Sequence, residues 1–161
     1  MCGIVGYVGK ENAASILIEG LSKLEYRGYD SAGIAVLDNS RDKKEIEIIK
    51  AKGRLQALRE MTDNGKAVKG YCGIGHTRWA THGEPSVINA HPHVSKDKKI
   101  AVVHNGIIEN YKEIKEYLQK KGYEFVSETD TEVIAHLLDY YYKGNCLEAI
   151  TKVLGRVRGS Y

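Results

Sequence analysis

The chain has 161 residues, of which 42% are hydrophobic and 28% are charged, so it has the size and apolar content of one folded domain rather than a disordered chain. Its formal net charge is only +3, and an acidic residue interrupts the short basic run at 96–99, which argues against a nucleic-acid partner. No apolar run approaches the ~20 residues that span a bilayer, so no membrane partner is expected. The three cysteines, Cys2, Cys72 and Cys146, lack the paired spacing of a disulfide framework or a zinc site, which favours a reducing, cytoplasmic location.

The first half of the chain predicts a strand, a helix and a hairpin. Glycine and β-branched residues over 2–9 predict a buried strand that begins at Cys2. Asn12 is placed to cap a one-faced helix that would continue to Gly28. Apolar and alternating residues then predict strands at 32–37 and 45–50, joined by a polar turn.

The second half mixes helices and strands around a long irregular segment. Apolar periodicity predicts a short helix near 55–61, strands at 71–77 and 100–104, a helix at 147–157 and a strand that begins near 158–161. Two further helices are predicted from their caps: one capped by Asn110, and one that begins with a capping box of Thr129 and Glu132. Both prolines and several histidines fall in the segment 78–99, and a loop of that length inside a compact domain is usually functional. The order of elements predicts an α+β fold with helices packed on antiparallel sheet.

Cysteine directly after the initiator methionine carries a specific chemical possibility. Removal of Met1 would leave a thiol and a free α-amine on Cys2. The α-amine has a reference pKa of ~7.7 to 8.0, so a useful neutral fraction exists near neutral pH and the amine can act as the base for its own thiol. The alternative is that Cys2 is a small buried residue at the start of a strand.

Six sequence blocks decide between these two interpretations, because together they resemble class II glutamine amidotransferases. They are CGIVG at 2–6, LEYRGYDSAG at 24–33, GHTRWATHG at 75–83, NAHPH at 89–93, VHNGIIEN at 103–110 and SETDTE at 127–132. Within that family they are most similar to the glutaminase half of the fructose-6-phosphate aminotransferases. The resemblance implies an α+β, four-layer α-β-β-α sandwich of the N-terminal nucleophile hydrolase type over residues 2–161. It also implies that the rest of the glutaminase segment and the sugar isomerase domains are absent.

The resemblance assigns the catalytic residues. Cys2 would be the nucleophile, and Asn105 and Gly106 would form the oxyanion hole, through a side-chain amide and a backbone N–H respectively. Fixed donors of this kind are what a tetrahedral oxyanion needs. Taken alone, an Asn-Gly pair is more typical of an ordinary hairpin turn.

The resemblance also assigns the residues that bind glutamine. Arg78 matches the position that holds the α-carboxylate, and Asp130 matches the position that holds the α-ammonium. Both charges of glutamine need a partner of opposite charge when they leave water. Thr81 and His82 match positions beside the carboxylate, and Trp79 matches the loop that closes over glutamine. Taken singly, each residue has an equal alternative: Asp130 as the cap of the helix that follows it, and Arg78 as a surface residue at a strand end.

No cofactor and no metal is expected, because the histidines, including His91 and His93, lack a metal-binding spacing on a helix. The expected partner is glutamine, with fructose 6-phosphate and a second copy of the chain as partners of the full-length protein only. Two alternatives stay open. One is the glutaminase domain of another class II enzyme, serving phosphoribosylamine, asparagine or glutamate synthesis, and the other is a non-catalytic glutamine-binding module.

Overall fold

The computed structural model describes residues 2–38, 45–80 and 83–161. Over these ranges the chain forms, in order, β1 (Gly3–Val8), α1 (Ala13–Ser22), β2 (Ser31–Asp38), β3 (Glu45–Lys52), α2 (Leu55–Met61), β4 (Cys72–Arg78), β5 (His93–Val94), β6 (Ala101–Val102), β7 (Ile107–Ile108), α3 (Tyr111–Gln119), α4 (Glu132–Tyr141), α5 (Cys146–Leu154) and β8 (Gly159–Ser160). The predicted turn between β2 and β3 lies outside the described residues. None of the described helices is both long enough and apolar enough to cross a bilayer.

The main sheet has four antiparallel strands in the order β1-β4-β2-β3. Its two faces differ because side chains alternate along each strand. Ile34 and Val36 of β2 face α1 and α2 within the first core, whereas Gly33 and its partner His76 on β4 face the opposite side. A Cβ at Gly33 would lie only 2.2 Å from the carbonyl oxygen of His91, so the loop before β5 crosses this second face at very close range.

The first core fills the space between the main sheet and helices α1 and α2. Leu17 and Leu21 of α1 are fully buried there. The predicted N-cap of α1 is confirmed, since the side chain of Asn12 accepts a hydrogen bond from the backbone N–H of Ser15 at 3.0 Å. The predicted continuation of the helix to Gly28 is wrong, because α1 ends at Ser22 and a separate 3-10 turn follows. That turn brings the side chain of Leu24 over Gly3 at the start of β1.

The second core lies among α3, α4 and α5. It contains Ile108 of β7, Leu118 of α3, Leu137 of α4 and Val153 of α5, all buried. The three predicted helices are confirmed, with α5 ending three residues earlier than expected.

Two predicted caps of these helices are wrong. The side chain of Asn110 does not cap α3, because its amide donates to the carbonyl of Arg156 at 2.9 Å and accepts from the N–H of Arg158 at 2.9 Å. The carboxylate of Glu132 accepts from the N–H groups of residues 126 and 127 rather than pairing with Thr129. These side chains tie distant or preceding backbone together, which local sequence spacing does not reveal.

The short ladders β5–β6 and β7–β8 lie between the main sheet and the second group of helices. The His91 loop touches the main sheet on one side, and α4 contacts β5 and β6 on the other. The layers therefore follow the α-β-β-α order. The predicted strand at 100–104 shrinks to two residues, because the chain turns toward the cavity described below. The predicted strand near 158–161 is confirmed as β8, which pairs with β7.

Candidate active site

A cavity of about 670 Å³ opens where the main sheet meets the inner ladders. Six of the eight residues predicted for the site line it: Cys2, Arg78, Trp79, Asn105, Gly106 and Asp130. These residues come from β1, the end of β4, the segment before β7 and the segment before α4. The other two, Thr81 and His82, lie outside the described residues. Residues up to 128 positions apart thus surround one cavity, because the antiparallel sheet aligns the start of β1 with the end of β4.

Cys2 stands at the start of β1, beside the last residues of β4. The backbone N–H of Gly3 donates to the hydroxyl of Thr77 at 3.1 Å and holds the two strand ends in register. The backbone N–H of Trp79 donates to the Cys2 sulfur at 3.2 Å, and the thiol faces the carbonyl oxygen of the same residue at 3.6 Å. The sulfur is therefore partly buried, fixed in position and directed along the cavity wall.

The cavity wall carries two buried groups of opposite charge. Arg78 is only 4% exposed, and its guanidinium donates a hydrogen bond to the carbonyl of Gly83 at 3.0 Å. The carboxylate of Asp130, in a residue 6% exposed, accepts from the N–H of Ile108 at 2.7 Å. Each side chain is hydrogen-bonded to a backbone group, and Asp130 also accepts from the hydroxyl of Thr131 at 3.2 Å. A small ligand carrying one negative and one positive charge fits this arrangement.

Asn105 and Gly106 form another part of the wall. The side-chain carbonyl oxygen of Asn105 lies 2.8 Å from Nε2 of His76. Gly106 has φ 153°, and a Cβ there would lie 2.0 Å from the carbonyl oxygen of Ser160 and 2.8 Å from Nε2 of His104. Only glycine can adopt this backbone in this space.

A group of buried histidines lies beside these residues, and two of them, His76 and His91, also line the cavity. The rings of His76 and His91 stack with centroids 4.2 Å apart, and His93 meets His91 edge-on at 4.7 Å. Burial lowers the pKa of His76 to about 4 and that of His93 to about 3. Burial, together with the charge of neighbouring His76 and His93, also lowers the pKa of His91 well below its usual value. All three side chains are therefore neutral at physiological pH.

The described residues contain no group of three or more histidine, cysteine, aspartate or glutamate side chains arranged to hold a metal ion. Hydrogen bonds occupy at least one nitrogen of each ring in the histidine group. Nδ1 of His91 accepts from the N–H of His104 at 3.4 Å, and Nε2 of His93 lies 2.9 Å from the hydroxyl of Thr129. Two histidines of the long segment 78–99, His91 and His93, thus support the cavity wall.

Several residues that shape the site have roles that the sequence alone does not reveal. Asp30 accepts from the N–H of Ala80 at 2.5 Å, and its own N–H donates to the carbonyl of Arg78 at 2.8 Å. It therefore anchors both sides of Trp79. The indole of Trp79 lies against Gly28, where a Cβ would lie 2.8 Å from a ring carbon. Asp30 and Gly28 fall inside a recognised sequence block, but nothing in the spacing indicates which distant residues they contact.

Comparison with known proteins identifies the domain. The family model described as "Glutamine amidotransferase domain" matches residues 32–151. The chain belongs to this family. Solved members with the same fold include the "allosteric regulatory enzyme of purine biosynthesis", with a TM-score of 0.82 and 29% identity over 99% of this chain and 34% of that one. A second is the glutamine phosphoribosylpyrophosphate amidotransferase of B. subtilis, with a TM-score of 0.80 and 28% identity over 99% of this chain and 33% of that one. The fold of this glutamine amidotransferase domain is α+β, of the N-terminal nucleophile hydrolase type.

Higher identity is found with one group of curated relatives. The glutamine–fructose-6-phosphate aminotransferase (isomerizing) of Caldanaerobacter subterraneus is 62% identical over 161 residues, and that of Clostridium acetobutylicum is 60% identical. The protein of the same name from Thermus thermophilus is 56% identical. Each match covers 100% of this amidotransferase domain but 26% of the relative. The chain therefore spans about a quarter of the length of these relatives.

Proposed function

We propose that this chain is a glutaminase domain that hydrolyses glutamine to glutamate and ammonia through a thioester on Cys2. One observation carries the proposal. The fixed sulfur of Cys2 lines the same cavity as a buried guanidinium, a buried carboxylate and the Asn105-Gly106 pair. Glutamine carries an α-carboxylate, an α-ammonium and an electrophilic amide, and these three groups match the three parts of the cavity.

The chemistry begins once Met1 has been removed. The neutral α-amine of Cys2 takes the thiol proton, and the sulfur attacks the side-chain amide carbon of glutamine. The C–N bond of the resulting tetrahedral intermediate breaks, and the protonated α-amine returns its proton to the departing ammonia. Water then attacks the γ-glutamyl thioester, which releases glutamate and restores the thiol. No step needs a cofactor.

Negative charge develops on the amide oxygen during both attacks. We assign its stabilisation to the side-chain N–H of Asn105 and the backbone N–H of Gly106, both on the cavity wall. The backbone conformation at Gly106 excludes any other residue, which supports a role for its main chain. Loss of one such donor typically lowers the rate ~10²- to 10³-fold.

Substrate recognition follows from the two buried charges. Arg78 would bind the α-carboxylate through two parallel hydrogen bonds, a geometry that lysine cannot reproduce. Asp130 would accept from the α-ammonium while keeping its bond to the N–H of Ile108. Trp79 is 53% exposed and stands at the cavity mouth, where it would close over glutamine. Thr81 and His82 follow it in sequence and are proposed to contact the carboxylate.

The proposal for the whole protein goes further. We propose that residues 2–161 belong to the glutaminase domain of an enzyme that converts fructose 6-phosphate and glutamine to glucosamine 6-phosphate and glutamate. Sugar isomerase domains would complete that enzyme, which we expect to be a cytoplasmic homodimer. Identities of 56–62% with aminotransferases of that name, against 28–29% with the purine enzymes, favour this acceptor over phosphoribosyl pyrophosphate.

Covalent labelling tests the nucleophile. The Met1-processed, full-length protein is treated with a diazo-ketone analogue of glutamine and analysed by peptide mass spectrometry. We expect one equivalent of label on Cys2, prevented by excess glutamine, and loss of both label and glutaminase activity in Cys2→Ala. The matched control Cys72→Ala, which removes a free cysteine at the start of β4, should retain both. Labelling at Cys72 or Cys146, or no label with glutamine bound normally, would favour a binding module without catalysis.

The state of the N-terminus provides a second test. Retained Met1 would convert the α-amine of Cys2 to an amide, which cannot accept the thiol proton. We expect protein with a mass-verified Met1 to keep a titratable thiol but to show negligible glutaminase activity. Rapid glutamine turnover by that protein would contradict the mechanism. Formation of glucosamine 6-phosphate on addition of fructose 6-phosphate to the full-length protein tests the acceptor separately.

A further inference from the structure

We infer that His76 is a positioning residue that fixes the orientation of the Asn105 side-chain amide, so that its N–H group points into the cavity. This inference rests on the proposed function, in which Asn105 supplies an oxyanion donor. It assigns a supporting role to a buried histidine of the cavity wall.

The geometry starts from the two ends of the Asn105 amide. Its oxygen accepts hydrogen bonds and its nitrogen donates them, and a half-turn of the amide exchanges the two. Only the nitrogen can stabilise an oxyanion. In the structure the oxygen lies 2.8 Å from Nε2 of His76, which directs the nitrogen away from His76. Asn105 is exposed, so we assign the selection of this orientation to the contact with His76.

This contact selects an orientation only if Nε2 of His76 carries a hydrogen. His76 is 1% exposed, and its Nδ1 has no hydrogen-bond partner among the described residues. In the tautomer with its hydrogen on Nδ1, that hydrogen would be buried without an acceptor, and the unprotonated Nε2 would face the Asn105 oxygen, so that two acceptors would meet. Both effects disfavour this tautomer. Burial also lowers the pKa of His76 to about 4, so the ring is neutral when it donates.

The ring of His76 is itself held in place. It stacks on His91 with centroids 4.2 Å apart and planes 16° from parallel, and it projects from β4, in the middle of the main sheet. Nδ1 of His91 is fixed in turn by the backbone N–H of His104. The donor thus has a rigid support that reaches across two layers of the fold, as a preorganised site requires.

The tautomer can be measured directly in the unmodified protein. Long-range ¹H–¹⁵N correlation spectra of ¹⁵N-histidine-labelled, full-length protein report which ring nitrogen carries the hydrogen, and the His76→Gln variant assigns the signal. We expect a neutral ring protonated at Nε2 near neutral pH. Protonation at Nδ1 would overturn the inference, since His76 would then accept from Asn105 and turn the amide the wrong way. This measurement does not depend on glutaminase activity.

Kinetics tests the consequence. His76→Leu removes the donor, whereas His76→Gln places an amide N–H close to the position of Nε2. We expect His76→Leu to lower kcat about tenfold or more with KM changed by less than about threefold, and His76→Gln to restore at least part of kcat. In an Asn105→Ala background the His76→Leu change should cost less than about twofold, because the two residues act as one unit.

A wild-type kcat in His76→Leu, or a loss that adds in full to that of Asn105→Ala, would overturn the positioning role while leaving the proposed function intact. Absence of glutaminase activity in the unaltered, processed protein would instead refute the proposed function. If His76→Leu fails to fold, the tautomer measurement and the His76→Gln variant still decide the question.

Discussion

Acid should destabilise this domain through its three buried histidines. His76, His91 and His93 have pKa values far below 6.5 in the folded protein, chiefly because burial penalises the charged ring. In the unfolded chain the same residues titrate near the reference value of ~6.5. The unfolded state therefore binds more protons than the folded state below that pH, and stability is lost as the pH falls toward the folded-state values of about 4 for His76 and about 3 for His93.

The magnitude follows from proton linkage. Between about pH 7 and about pH 5.5, each unfolded histidine gains about two-thirds of a proton while its folded counterpart gains almost none, which costs about 1.3 kcal/mol per residue. The three residues together should lower the free energy of unfolding by about 4 kcal/mol. The pKa of Glu132 in the folded protein lies at about 2, because hydrogen bonds from His136 and Ser127 outweigh the effect of its burial. Its titration therefore affects the free energy of unfolding only at pH values around and below the usual glutamate pKa. The chosen interval therefore isolates the histidines.

Urea denaturation followed by circular dichroism at the two pH values measures this difference. His93→Gln keeps a donor near the hydroxyl of Thr129 but cannot titrate, so it should reduce the pH-dependent loss to about 2.5 kcal/mol. Lys96→Gln, an exposed change of charge in the same segment, should leave the loss unchanged and serves as the control. A loss below about 1 kcal/mol in the unaltered protein would show that the histidine group is hydrated or charged, and the linkage argument would be refuted.

Three further changes test individual contacts. Gly33→Ala would bring a Cβ against the backbone carbonyl of the loop that crosses the main sheet. We therefore expect the free energy of unfolding, measured by urea denaturation, to fall by about 3 kcal/mol. Gly6→Ala is the control and should cost far less, because a Cβ at Gly6 meets nothing within 4 Å. Asn110→Ala removes two hydrogen bonds to the segment after α5. It should lower the free energy of unfolding by about 1 to 2 kcal/mol and increase hydrogen exchange at β8. An unchanged exchange pattern at β8 would argue that Asn110 does not hold this segment in place. Asp130→Asn keeps an acceptor for the N–H of Ile108 but loses the negative charge, so the KM for glutamine should rise about tenfold or more while kcat changes less; an unchanged KM would remove Asp130 from substrate binding.

Local sequence patterns predicted most of the elements, because each pattern has a local physical cause. Alternation along 45–50 specified a strand, and the Asn12 side chain capped the helix that follows it. The predicted cap at Asn110 and the predicted capping box of Thr129 and Glu132 failed for the opposite reason. Each side chain has a polar group that can bond locally or at a distance, and tertiary packing offered Asn110 a partner 46 residues away.

The sequence by itself determined the family, and it predicted eight site residues and the chemistry of an N-terminal cysteine, since each of these depends on residue identity and order alone. Only the tertiary structure decided which of those residues meet in the described part of the chain, and which other residues hold them in place. The pairing of β1 with β4 brings Cys2 to Trp79, and the approach of the inner ladders brings His76 to Asn105. Burial then makes the supporting histidines neutral, and burial is a property of the packed layers that no local sequence pattern contains.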